Sequence, residues 1–302
     1  MNVDAKNTEE SIIINKLGSM IDETNKSAID QSKSYSFLVA PGFIGQGLIE
    51  KLSSIAFRNK ILFLTDYEDK GSVDEVMETA NEPGKSKLGG LNKEWSRTVV
   101  YANYALLRDK YRQEKKPLFG SAAAAVAGKL YSIDNIAQPV AGAQFGALKG
   151  LKGIRYRVNQ DQANTLDREN LNPLTEAFGA LMPFNCVTMF KGENVELRQY
   201  SVIRTLDYVD RLMKHFLNQY AFTSMMDSNI RLHVHRTILK MLERLMELKI
   251  LKTGRITLFE IDDDSPDRFN IKMEVIPMYV TSAFEYTIGI DQNGLSEGKD
   301  NP

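Results

Sequence analysis

Few groups of residues in this sequence have the types and spacing that chemistry requires. The best placed is a glycine-rich turn, Gly42-Phe43-Ile44-Gly45-Gln46-Gly47, between a predicted strand and a predicted helix, where a dinucleotide-binding loop would lie. Its glycine order is G-x-x-G-x-G rather than G-x-G-x-x-G, and Asp66 is the one candidate for the acidic residue that binds a ribose. The order favours the simpler interpretation, a turn that lets a helix pack closely.

Other reactive residue types lack the neighbours that would make a site. Gly84-Lys85-Ser86 ends like a phosphate-binding loop, but the glycine five positions earlier is missing. His233 and His235 are two apart, so on a helix they point in different directions and cannot share a metal. Cys186 has no histidine nearby in sequence, and residues 262–264 lack the spaced ligands of a calcium loop. We therefore predict no catalytic residues, no metal and no cofactor.

The composition argues against further classes of function. The 302-residue chain carries 38 Lys and Arg against 39 Asp and Glu, a formal net charge of −1, so it has no cationic surplus for nucleic acid. Its one cysteine cannot form an internal disulfide, which fits a reducing compartment. No apolar run approaches the roughly 20 residues that span a bilayer, and the polar N-terminus lacks the apolar stretch of a signal peptide. We expect a soluble protein that is cytoplasmic at synthesis.

The elements that must position any site begin with an α/β unit. Residues 36–40 and 60–65 are short apolar runs that predict buried strands, and residues 44–58 between them have helical spacing. Strand, helix and strand at this spacing predict parallel pairing with a right-handed crossover. A helix opening at Ser72 and a strand at 97–101 extend this core.

The middle of the chain is less regular. Ser121 precedes an alanine-rich run and predicts a helix N-cap. Residues 134–153 are glycine-rich without a helical stripe and predict an irregular surface segment. Residues 161–172 have short helical character, and residues 184–191 predict a strand.

Two long amphipathic helices follow. An unbroken apolar stripe predicts the first over residues 200–220, and Asp227-Ser228-Asn229 caps the second. The apolar stripe of the second comprises Val234, Ile238, Met241, Leu245 and Leu248, and Thr253-Gly254 ends it. Cationic side chains also run along this helix, and they predict either a solvated face or a basic ridge that docks on an acidic partner. They are Arg231, His235, Arg236, Lys240 and Arg244.

The last well-patterned stretch, residues 267–291, predicts two amphipathic strands that meet at Ile276-Pro277. The first alternates Phe269, Ile271, Met273 and Val275 with polar residues, as a strand with one buried face does. The second runs through residues 283–290 and is followed by a polar segment, 291–302, that we predict to be a disordered tail. An amphipathic strand with nothing after it to cover its edges either docks on its own chain or pairs with a neighbour.

The order of these segments resembles the conserved part of contractile tail sheath proteins, which occur in phages with contractile tails, tailocins and contractile injection systems, including type VI secretion. The segments that carry the resemblance are Ala40-Pro41-Gly42, residues 62–66, Ser121 to Gly128 with Asp134, Pro139-Val140-Ala141-Gly142, residues 148–153, residues 166–173, residues 184–190, Val202-Ile203-Arg204 and residues 271–290. The tryptophan-bearing W-G-x-R-T element of the family is absent, and Val187-Thr188-Met189-Phe190 stands in its region.

The resemblance implies a mixed α/β fold with α+β character at its C-terminal end. It implies an N-terminal extension or arm at 1–35 and a core at 36–290, divided into a βαβ part, 36–110, and a C-terminal part, 111–290. The usual N-terminal arm and outer domains of sheath proteins are missing, which would suit a minimal sheath, one half of a split sheath, or a fragment.

A sheath subunit polymerises around an inner tube and contracts to drive the tube through a target envelope. The resemblance therefore implies other copies of the chain, an inner tube protein, and baseplate and terminator proteins as partners, with a second sheath polypeptide where the sheath is split. We expect the exchanged, subunit-linking strand to comprise Ala283, Phe284, Glu285, Tyr286, Thr287, Ile288 and Ile290. We expect the helix that carries Arg231 to Arg244 to face the tube. The alternatives are a Rossmann-like nucleotide-binding enzyme built on residues 36–66, and a non-contractile tail adaptor or terminator.

Overall fold

A parallel sheet of four strands lies at the centre of the fold. The computed structural model describes residues 35–42, 46–81, 88–107, 117–265 and 267–281, with isolated positions 12, 15 and 16. The sheet order is β1-β2-β3-β7, and every neighbouring pair is parallel. Its strands are β1 (Phe37–Ala40), β2 (Leu62–Asp66), β3 (Thr98–Tyr101) and β7 (Leu171–Asn172). The predicted parallel βαβ unit is confirmed, whereas the sequence pattern gave no sign of β7.

Helices cover the sheet, and polar residues fix where they begin. They are α1 (Gln46–Asn59), α2 (Val73–Ala80), α3 (Ala122–Tyr131) and α5 (Gln160–Arg168), and a 3-10 turn, Lys93–Arg97, precedes β3. The side chains of Ser72 and Ser121 accept hydrogen bonds from Glu75 N and Ala124 N, which confirms both as N-caps. Asp66, at the end of β2, accepts a second bond at the start of α3, from Ala123 N at 2.8 Å.

The predicted strand at 184–191 is an extended segment, and buried asparagines explain the difference. Asn172 Nδ2 donates to Val100 O and Val187 O at 3.1 and 2.9 Å, and its Oδ1 accepts from Val187 N at 2.9 Å. Asn170 Nδ2 donates to Thr188 O and Phe190 O, both at 2.8 Å. Side-chain amides thus take up backbone groups that a neighbouring strand would otherwise bind.

The prediction of an irregular surface segment at 134–153 is partly wrong. Val140 and Leu148 are buried in the main core cluster, and Val140 exchanges two hydrogen bonds with the hydroxyl of buried Tyr200. A short helix and a strand also form there, α4 (Gly142–Phe145) and β6 (Leu151–Ile154). Strand β6 pairs with β4 (Ala105–Leu107), which pairs with β5 (Phe119–Gly120), and β8 (Leu174–Ala177) forms a hairpin with β9 (Ala180–Pro183).

The C-terminal part contains two long helices and a long hairpin. A short helix, α6 (Val195–Arg198), leads into α7 (Tyr200–Asn218), α8 (Ser228–Glu247), β10 (Leu251–Ile261) and β11 (Phe269–Pro277). Both predicted helices are confirmed, with Asp227 as the N-cap of α8. The buried stripe of α8 includes Leu242, whereas Leu248 is exposed. The prediction that Thr253-Gly254 ends α8 is wrong, because both residues lie inside β10.

Candidate assembly surface

The hairpin of β10 and β11 packs one face on the two long helices. Its inward side chains, Ile256, Phe259, Ile271, Met273 and Val275, pack against the buried apolar stripes of α7 and α8. The predicted alternation along residues 269–275 is confirmed. At Gly254 the hairpin approaches α8 so closely that an added Cβ would lie 3.1 Å from Cδ2 of Leu242.

The outer face of the hairpin is polar and charged. Arg255 and Glu274 face each other across the strands, with Nη2 of the arginine 2.5 Å from the carboxylate. Both side chains are more than half exposed, so this pair contributes little to stability. It does keep the outer face solvated, and the surface that remains available for pairing is the edge of each strand.

Both edges of this two-stranded sheet are open within the described part of the chain. The strands are 11 and 9 residues long and pair with each other alone among the described residues. An isolated hairpin is a marginal structure, and a long strand edge presents backbone donors and acceptors that can bind a further strand.

The chain leaves the hairpin along a defined path. Met278 N donates to Ile250 O at 3.3 Å, Gln199 Nε2 donates to Val280 O at 3.4 Å, and the Tyr279 hydroxyl donates to Glu196 at 2.8 Å. The residues after β11 are therefore held at the junction of α6 and α7. The predicted linking strand, residues 283–290, lies outside the described residues, so the structure defines only its point of departure at Thr281. No pattern in the sequence indicated the contacts of Glu196 and Gln199.

The five cationic residues of α8 divide into two sets. Arg236, Lys240 and Arg244 are exposed, and Arg244 Nη1 lies 3.0 Å from the carboxylate of Glu247. Arg231 and His235 are half-buried, and the His235 ring contacts Phe259 of the hairpin edge to face at 4.8 Å. The exposed set shares its helix face with acidic side chains, so it forms a mixed charged surface rather than a purely basic ridge.

A buried ion pair and a partly exposed one connect α7 to the parallel sheet. Arg97, beside β3, donates from Nε and Nη2 to both carboxylate oxygens of Asp207 at 2.9 and 2.6 Å. Lys60, before β2, pairs with Asp210 at 2.8 Å, and Arg211 Nη1 donates to the Lys60 carbonyl at 3.0 Å. A bidentate pair of low exposure fixes orientation as well as distance, so the helix that supports the hairpin is tied to the sheet.

The reactive residue types named in the sequence analysis lie in surroundings that favour structural roles. Asp66 is fully buried against the start of α3, where burial raises the pKa of its carboxyl and neighbouring backbone N–H groups oppose the rise. Burial, with a smaller effect from Asp167, raises the pKa of the Cys186 thiol to about 12, so it is protonated at neutral pH. His233 and His235 contact different rings, and residues 84–86 lie outside the described ranges. Among the residues that are described, no group of His, Cys, Asp and Glu could hold a metal.

No helix in the described ranges combines the length and apolar character that crossing a bilayer requires.

Two family models match nearly the whole chain. The model for the type VI secretion system TssC/VipB central domain matches residues 3–191, and the model for the TssC/VipB-like C-terminal domain matches residues 199–300. A search of curated proteins found no match.

Solved structures share the fold at low sequence identity. A chain of the anti-feeding prophage helical sheath in its contracted state is 15% identical with a TM-score of 0.64, over 90% of this chain and 76% of that chain. A chain of the contracted sheath complex of PVC, an extracellular contractile injection system, is 15% identical with a TM-score of 0.68. The match covers 88% of this chain and 73% of that chain. A chain of the anti-feeding prophage baseplate is 15% identical with a TM-score of 0.65, over 90% of this chain and 74% of that chain.

Proposed function

The chain belongs to the TssC/VipB family of type VI secretion system proteins and is a structural subunit of a contractile sheath, and we propose that its β10–β11 hairpin is where neighbouring subunits are joined. The observation that carries this proposal is the hairpin itself, a long two-stranded sheet with both edges open in the described part of the chain. Its inner face is already buried on α7 and α8, so its edges are the surface left for main-chain pairing.

Residues 283–290 supply the strand that pairs with a neighbour's hairpin. They have the two-residue period of a strand with one buried face, as β11 has. Residues 278–280 support this assignment, because their contacts bring the chain to the α6–α7 junction before residue 283 is reached. Each main-chain hydrogen bond adds about 0.5–1.5 kcal/mol net, so a strand with several bonds makes a link that is hard to detach.

The exposed face of α8 is the candidate contact with the inner tube. Arg236 and Lys240 are four residues apart, so they are neighbours on the helix surface and could meet an acidic tube. Contacts between solvated charges are weak and salt-sensitive, which suits a contact that must release when the sheath contracts. Arg231 and His235 would serve the hairpin side of the helix instead, since His235 packs on Phe259.

The remaining partners follow from the family. The chain would act with further copies of itself, a second sheath polypeptide, an inner tube, and baseplate and terminator proteins. It would be made in the cytoplasm and assembled there into a secretion-apparatus sheath, with residues 36–290 as the subunit core.

The Rossmann-like enzyme has no support. Asp66 would have to bind a ribose, but its carboxyl is buried and binds the start of α3. The family is a structural one, and the role proposed here requires no bond chemistry.

Two neighbouring substitutions test the linking strand. Ile288→Asp places a charge on the apolar face of the predicted strand, whereas Thr287→Asp places the same charge on the opposite face. We expect Ile288→Asp to abolish sheath assembly in electron micrographs. The free energy of unfolding of the isolated chain should stay within about 0.5 kcal/mol of the wild-type value. Thr287→Asp should still assemble. Equal assembly by both variants, or a destabilised isolated chain in Ile288→Asp, would contradict an exchanged strand.

A further inference from the structure

An arginine that pairs with no carboxylate among the described residues lines a cavity at the edge of the parallel sheet. The cavity is about 480 Å³, and β1, the start of β2, the end of α3 and the middle of α7 surround it. Arg204 lies in its wall with 7% of its surface exposed, and its guanidinium is 5.4 Å from the centre of the Phe37 ring. Its Nη1 is buried and has no hydrogen-bond partner among the described residues. A buried cation in this state is costly unless a ligand completes its hydrogen bonds.

The charges around Arg204 increase that cost. Lys60 and Arg211 also line the cavity, so three cations share it, although the charge of Lys60 is paired with that of Asp210. Among the described residues of the wall, Asp207 is the one acidic side chain, and Arg97 already occupies both of its carboxylate oxygens. Burial, together with the charge of Arg211, lowers the pKa of Arg204. The cavity therefore has an excess of positive charge and a free donor that points to an anion.

The sequence before β1 indicates which acidic side chains can reach Arg204. Tyr35 lines the cavity and begins the described stretch that contains β1, so the point at which the preceding sequence joins the core is at the cavity wall. Asp22, Glu23 and Asp30 are the acidic residues nearest to it in sequence. An extended chain covers about 3.3–3.6 Å per residue, so all three can reach Arg204. A short tether also gives such a group a high effective concentration.

We propose that the Arg204 cavity is a carboxylate-binding site and that an acidic side chain of residues 22–30 of the same chain occupies it. The guanidinium Nη1 donates to the carboxylate oxygens, and the charge of Arg211 adds to the attraction. The contact would dock the segment that precedes β1 on the subunit core. This docking takes place within a single subunit and does not depend on how subunits are joined.

Full-length variants in thermal unfolding experiments at low salt test this. Replacing the three acids together, by Asp22→Asn, Glu23→Gln and Asp30→Asn, should lower Tm by about 2–6 °C. The matched control, Lys26→Gln with Lys33→Gln in the same segment, should leave Tm within about 1 °C of wild type. Equal Tm values for the acid variant and wild type would overturn the proposal.

Arg204→Met adds a second test, because its effect on Tm should differ between the wild-type and the acid-free background. With a carboxylate bound, the substitution removes a buried pair and should lower Tm in the wild-type background. In the acid-free background Arg204 is unpaired, so the same substitution should cause a much smaller loss or a gain. The same loss in both backgrounds would show that the cavity and the acids are not coupled.

Inorganic phosphate distinguishes the source of the anion without altering Arg204. Phosphate should raise Tm of the acid-free variant and leave the wild type unchanged, because the wild-type cavity is already filled. Equal stabilisation of both would mean that the cavity takes free anions, and the assignment to residues 22–30 would be wrong. A Tm difference that grows with protein concentration would assign the acid to a second copy and would also overturn the proposal.

Discussion

Replacing Asn172 with alanine should destabilise the folded chain by about 3–5 kcal/mol. The side chain is fully buried and makes three hydrogen bonds, two to the backbone of Val187 and one to Val100 O. Alanine would remove the side-chain partner of the half-buried N–H and C=O of Val187 and of the buried Val100 O, at about 1–3 kcal/mol for each group that cannot find another partner. Other backbone bonds hold residues 188–191, such as Met189 N to Thr98 O at 2.8 Å, so the segment that leads into α6 and α7 would loosen from the sheet at Val187.

The assay is urea unfolding of the unassembled chain, with the midpoint and slope followed by circular dichroism. The matched control is Asn159→Ala, which removes an exposed asparagine from the capping box of α5 and should cost about 1 kcal/mol. A loss for Asn172→Ala no greater than that for Asn159→Ala would refute the reasoning, because it would mean that these buried bonds do not hold the segment in place.

Further substitutions probe the hairpin, the ion pair that ties α7 to the sheet, and the core. Gly254→Val forces a side chain against Leu242, so it should cost about 1–3 kcal/mol in urea unfolding and impair assembly in electron micrographs. Arg97→Met leaves Asp207 buried and unpaired and should cost about 3–5 kcal/mol, most of which a second change, Asp207→Leu, restores. Burial raises the pKa of Asp66, so the folded chain retains a proton that the unfolded chain releases at lower pH. Wild-type stability, measured against Asp66→Asn, should therefore fall as pH rises above the ordinary aspartate pKa and then level off.

Local patterns in the sequence predicted the elements that depend on them. The period of two along residues 269–275 and the helical stripes of residues 200–248 identify faces that must be buried, and Ser72 and Ser121 mark helix starts through bonds to nearby N–H groups. The family resemblance, confirmed by the matches of both domains, depends on the order of such elements along the whole chain.

Structure that depends on long-range contacts could not be predicted in this way. Asn170 and Asn172 look like turn residues in sequence, yet their amides bind a segment 15–20 residues further along. Val140 is buried in an otherwise irregular glycine-rich stretch because Tyr200 binds it from 60 residues away. The lack of a hydrogen-bond partner for Arg204 Nη1 among the described residues is likewise a property of the cavity around it, and the helical pattern of α7 did not indicate it.

The central claim is that subunits are joined by a strand that follows the hairpin. Its most direct test is electron microscopy of sheath particles from cells that make the other sheath components together with this chain truncated after Thr281. The truncation retains the hairpin and the contacts of Tyr279 and Val280 while removing residues 282–302. We predict a folded subunit and no tubes. Tubes of normal length formed by the truncated chain would contradict the account.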